Sequence, residues 1–226
     1  MKYKSIFSNL KGTFNTEMED LNENSSEYFY PIEIDGVIIE TNGFEALTID
    51  NVEKYTETQL AQFDYDIKYP YNDKGKKLLV LKNYQLKTFI PIHILEIETG
   101  KRVVIELQIV MIHDGEQIRL LSTLFGKSSE AIIMETTLFE KLQNQLDEYY
   151  CLEICSNCEN SIWNPYGGND FFNHLCFKKE AREFQAIKEK NKQSIGSFMK
   201  FKENKNFENV QLTDYCVQFE ARRAKS

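Results

Sequence analysis

His93-Ile-Leu-Glu-Ile-Glu98, Thr99-Gly100 and Arg102-Val-Val-Ile-Glu-Leu-Gln-Ile-Val110 decide the fold class of the first part of this chain. Two apolar-rich arms flank a Thr-Gly turn, and their mixture of alternation and continuous apolar runs is that of strands in a sandwich or barrel wall. Working outward, Asp114-Gly115 gives a further turn before Ile118-Arg-Leu-Leu121, and Asp35-Gly36 joins Tyr28–Ile34 to Val37–Thr41 as a hairpin. Phe63–Tyr69 alternates, and Lys77–Leu81 and Gln85–Ile92 also read as strands. Short strands at this spacing predict an antiparallel, β-sandwich-like domain over residues 1–130.

The pattern changes at Thr137-Leu-Phe-Glu140, where Thr with Glu three residues later is a capping-box signature. Leu138, Phe139, Leu142, Leu146 and Tyr149 then follow helical spacing, which predicts a helix over 138–149 and a short strand at Cys151–Ile154. Lys178–Lys190 is rich in helix formers and reads as a basic surface helix, and Phe207–Phe219 alternates like one more strand. The expected fold class is therefore α+β, with a β-rich domain at 1–130 and a smaller, partly helical α+β region at 131–226.

That second region holds all five cysteines: Cys151, Cys155, Cys158, Cys176 and Cys216. Cys155-x2-Cys158 has the separation at which a knuckle turn lets two thiolates share one ion, and His174-x-Cys176 supplies a second pair. Four ligands of this type satisfy tetrahedral Zn2+ and leave no open position for a reacting water, so the expected role is structural. Cys151 is the alternative fourth ligand in place of His174. The competing readings are buried thiols without metal and, lacking a βαβ context, a redox pair. The loop Ser161–Phe172 between the two pairs would gain order from a metal staple, and its Trp163, Tyr166, Phe171 and Phe172 read as a small satellite core or a recognition surface.

The pattern Cys155-x2-Cys158-x6-Pro165-Tyr166-Gly167-x3-Phe171-x4-Cys176-Phe177, followed by Lys178-Lys179-Glu180, resembles the C-terminal motif of an uncharacterised bacterial domain family. Its members are of immunity-protein type, from interbacterial toxin systems. The resemblance covers the C-terminal part of the chain alone and omits His174. It implies a protein-binding role and no assigned activity.

The formal net charge of -8 is unevenly spread. Residues 1–66 hold fourteen acids against four bases, whereas residues 178–205 hold nine bases against four acids. An acidic face is a poor non-specific ligand for nucleic acid but speeds capture of a basic protein. Glu17, Glu19, Asp20 and Glu23 are the candidate partner-binding residues, and a basic toxin domain is the expected partner. A nucleic-acid-binding zinc protein is the alternative, weakened because Glu180, Glu183 and Glu189 dilute the basic stretch. A cysteine-dependent enzyme is the other.

No catalytic residues are expected, because the chain lacks a dinucleotide fingerprint, a phosphate loop, His-Glu-x-x-His and Gly-x-Ser-x-Gly. His93, between two isoleucines, and His113, before an Asp-Gly turn, read as structural polar residues. The N-terminus lacks the apolar core of a secretory signal, and no apolar run approaches the roughly 20 residues that span a bilayer. A cytoplasmic protein with zinc as its one cofactor and no membrane partner is the expectation.

Overall fold

The computed structural model describes residues 2–19, 30–41, 46–70, 75–132, 138–158, 160–163, 174–177, 179, 181, 182, 184, 186, 208–210, 219 and 221, with backbone alone at 156, 162, 163, 174, 175 and 208–210. Their strands are β1 (Lys2–Asn9), β2 (Gly12–Glu19), β3 (Ile32–Ile34), β4 (Val37–Ile39), β5 (Thr48–Ile49), β6 (Asp64–Lys68), β7 (Leu78–Lys82), β8 (Tyr84–Glu96), β9 (Arg102–His113), β10 (Ile118–Leu124), β11 (Lys127–Ile132), β12 (Tyr150–Leu152), β13 (Ser161–Trp163), β14 (His174–Cys176) and β15 (Glu208–Val210). Two short helices join them, α1 (Glu57–Leu60) and α2 (Leu138–Gln143).

The expected α+β class is overturned: among the described residues strands take 56% against 14% for helix, so what is described is mostly β. Among the described residues of 131–226, the strands β12 to β15 stand beside α2 and a 3-10 turn at Cys155–Asn157. The physical reason is pairing. Leu175 lies in a ladder with Ile162 on one side and Asn209 on the other, a non-local register that local helix propensity does not reveal. Of the expected basic helix, Ala181, Arg182, Phe184 and Ala186 are helical, and Lys178, Glu180, Glu183, Gln185 and residues 187–190 lie outside the described residues. The helix expected over 138–149 stops at Gln143, and its proposed cap, Thr137, lies outside the described residues.

One large antiparallel sheet has the order β11-β10-β9-β8-β1-β2, with β12 added on β8. The chain divides into two compact units: 1–91 with 106–145, and 92–105 with 146–226. The second unit takes the end of the β8–β9 hairpin together with the chain from Leu146 onwards.

In the first unit, β1 and β2 form a hairpin whose turn is closed by Asn9, its Oδ1 accepting from the Lys11 and Gly12 amides. Tyr3, Ser5 and Phe7 alternate inward along β1. Phe7 is 1% exposed and stacks on Tyr84 at 5.9 Å and edge-on to Phe63 at 6.0 Å. Burial pushes the Tyr84 hydroxyl far above its ordinary range, and its oxygen accepts from the Leu47 amide at 3.2 Å. At the other edge α2 covers β10 and β11: Leu138, Phe139 and Leu142 are buried, and Lys141 Nζ donates to the Glu130 carbonyl.

Tight turns need backbone that most residues avoid. Asp35 and Gly36 both adopt positive φ between β3 and β4, as do Phe125 and Gly126 between β10 and β11.

In the second unit, β12 lies along the end of β8, pairing Tyr150 with Glu96 and Leu152 with Ile94. Ile92, Ile94, Leu152 and Ile154 are buried, and Phe177 stacks on Phe184 at 4.6 Å with both rings fully enclosed. At roughly 1.5–3 kcal/mol per fully buried large apolar side chain, these residues suffice for a core of the unit's own.

Candidate functional site

The cysteine segment is assembled by short-range backbone bonds. After β12 the chain makes one 3-10 turn at Cys155–Asn157, closed by Cys158 N–H donating to the Cys155 carbonyl at 3.1 Å. Asn157 Nδ2 donates back to the Leu152 carbonyl at 3.0 Å, and Ser161 Oγ donates to the Cys155 carbonyl. Register places Ser161 opposite Cys176 and Trp163 opposite His174. The turn therefore packs on the β13–β14 hairpin, with positions 174 and 176 on the same strand face by its two-residue repeat.

Cys151, Cys155, Cys158 and Cys176 are all buried, and no disulfide joins them. Among the described residues, however, no three Cys, His, Asp or Glu side chains converge to hold a metal ion. The His174 side chain, Cys216 and the loop 164–173 lie outside the described residues. Cys151 faces a small apolar cluster with Cys158 and Phe219, flanked by Leu95 and Ala221. Burial first, then the Glu153 charge and Cys158, push its thiol up to about 11. It is protonated at neutral pH, which makes it a weak nucleophile and a ligand only after losing that proton.

Sequence reasoning missed a charged pair beside this cluster. Glu153 is buried with its side chain wholly enclosed, and Arg102 Nε donates to its Oε1 at 2.7 Å. His93 Nδ1 stands 3.9 Å from Oε2, beyond hydrogen-bond reach, and Oε2 is an unsatisfied buried acceptor. The Glu153 amide bonds the His93 carbonyl at 2.9 Å, which fixes this register. Arg102 and Glu153 are 51 residues apart, so no local spacing announces the pair. His113 accepts from the Gly115 amide at 2.9 Å, and burial is the main cause holding its pKa below 6.5, so it is neutral at pH 7.

Of the acidic residues singled out near the N-terminus, Glu17 and Glu19 fall on a concave face of the first unit. A cavity of about 740 Å³ is lined by Lys2 and Lys4 of β1, by Thr16, Glu17 and Glu19 of β2, and by Glu33, Ile38 and Glu40 around the β3–β4 hairpin. Lys2 Nζ pairs with Glu17 at 3.4 Å with both side chains exposed, an interaction worth little in water. Four carboxylates against two ammonium groups leave the lining with a net formal charge of -2. Desolvation first, and Asp50 second, raise the Glu40 pKa, while Lys76 and Lys54 oppose the shift. Glu33 and Glu40 were not foreseen, because they reach this face only through the hairpin. Asp20 and Glu23 lie outside the described residues.

No described helix is long and apolar enough to cross a membrane. No family model, no curated protein and no solved structure matches this chain.

Proposed function

We propose that this chain is a non-enzymatic, cytoplasmic protein-binding protein of immunity type, which neutralises a basic toxin domain by covering it. The observation that carries the reading is the acid-lined concavity between the β1–β2 and β3–β4 hairpins, with Glu17, Glu19, Glu33 and Glu40 around the exposed Ile38. Charge of this kind raises the association rate, while an apolar contact such as Ile38 supplies affinity once water is excluded. The overall charge of -8 acts in the same direction at longer range.

Structural zinc belongs to the proposal, held by Cys155, Cys158 and Cys176 with His174 or Cys151 as fourth ligand. Its support is the knuckle turn and the burial of the thiols. Binding would require the described cysteine side chains to move closer together.

The test uses a labelled oligolysine peptide and stopped-flow anisotropy across a salt series. Glu17→Gln combined with Glu33→Gln is expected to slow association and flatten its salt dependence, whereas Glu57→Gln, on α1, leaves both unchanged. Equal behaviour of the two variants would sink the assignment of this face.

A further inference from the structure

The hydrogen-bond ladder between β9 and β10 runs only from Ile109 to His113 on the β9 side. Residues Val103 to Leu107 consequently have β8 on one edge and no described strand on the other. Backbone parity shows which groups this leaves outward. At one end of β9, the Lys101 carbonyl accepts from the Glu96 amide, so odd-numbered residues bond towards β8. At the other end, Asp114 N–H donates to the Gln117 carbonyl across the next turn, so even-numbered residues bond away from β8. Val104 and Glu106 therefore aim their amides and carbonyls out of the sheet edge. Val103 is 46% and Val104 57% exposed, so adjacent aliphatic side chains meet solvent on both faces of the same strand.

Natural sheets blunt such an edge with like charges, proline or a bulge. This edge instead reads Arg102-Val-Val-Ile-Glu106, a run that is complementary to itself when reversed. Antiparallel pairing about a two-fold axis through Val104 sets Val104 against Val104 of a second copy, Val103 against Ile105, and Arg102 against Glu106. Opposite charges then flank an apolar centre at both ends, where two like charges would have repelled. Arg102 keeps its positive charge at this register position while its Nε is engaged with Glu153.

We propose that β9 is a homodimer interface, in which two copies of this chain pair their Arg102–Glu106 edges antiparallel about Val104. Such an isologous contact uses the same patch twice and closes, so it removes the open edge without building a fibre. It is independent of the acidic face and of any metal.

Sedimentation velocity on the full chain tests it. The wild type is expected to pass from one to two chain masses as concentration rises. Val104→Lys and Val104→Glu each put like charges face to face on the axis and are expected to stay monomeric. Their equimolar mixture should recover the doubled mass, because Lys then meets Glu. As a second probe, Val104→Cys should cross-link to itself on mild oxidation and Val103→Cys should not, since only position 104 faces its own copy at disulfide distance. A wild type that remains one chain mass throughout, a charge variant that dimerises alone, or a mixture that stays monomeric would each overturn the proposal.

Discussion

Glu153 shows how much one side chain depends on another in this protein. Its carboxylate is enclosed, and the partner that compensates it, Arg102, is itself only partly buried. Removing the guanidinium leaves a buried charge beside the Cys151 thiol, whereas removing both groups leaves an apolar contact. Arg102→Met is expected to cost on the order of 2–3 kcal/mol, the low end for a buried pair because Arg102 still reaches solvent. The double change Arg102→Met with Glu153→Leu should recover at least half of that loss. Urea unfolding midpoints of the single and double variants decide the matter. A double variant as unstable as Arg102→Met would show that Glu153 has another, stabilising role.

At the scale of elements, the cysteine turn carries the sharpest test. If Zn2+ holds Cys155, Cys158 and Cys176, the purified chain should contain one zinc, and chelation should lower the melting temperature by more than about 4 °C, as loss of 1–2 kcal/mol does in a protein of this size. Metal-free protein with an unchanged melt would leave the cysteines as core packing, as the Cys151, Cys158 and Phe219 cluster already is. Which elements could be read from sequence follows from range. Hairpins at Asp35-Gly36 and Asp114-Gly115 were legible because their turns require particular residues. The β1–β2 hairpin was not: its Leu10-Lys11 turn has neither residue at positive φ, and the Asn9 side chain does the closing. Strand β8 was read as two pieces meeting near Pro91, yet it runs unbroken from Tyr84 to Glu96. Proline is tolerated there because its missing donor faces the gap on that edge between the β1 ladder, which ends at Thr88, and the β12 ladder, which begins at Ile94. Of the site, Glu17 and Glu19 were legible as charge, whereas Glu33, Glu40 and Glu153 were brought into place by pairings that a single sequence does not display.

For the whole molecule, the order of strands in the large sheet separates cheap contacts from costly ones. Strands β9, β10 and β11 follow one another through two tight turns, while β1 must find β8 across the chain, with Ser5 and Thr88 bonded at a separation of 83 residues. Closing that loop costs about 2–3 kcal/mol more entropy than closing a turn of a few residues. The β9–β11 meander should therefore form early and the β1–β8 ladder late, although both bury large side chains completely. Leu120, 1% exposed on β10, and Phe7, 1% exposed on β1, report on the two regions. Leu120→Ala is expected to act mainly by slowing folding, with a φ-value above about 0.5, and Phe7→Leu mainly by speeding unfolding, with a φ-value below about 0.3. Each substitution removes enough packing, roughly 1 kcal/mol or more, for the ratio to be meaningful. The measurement is a pair of stopped-flow chevrons at concentrations below any dimer transition. If Phe7→Leu slows folding while Leu120→Ala leaves it unchanged, the long-range β1–β8 pairing belongs to the nucleus, and loop entropy does not set the order in which this sheet assembles.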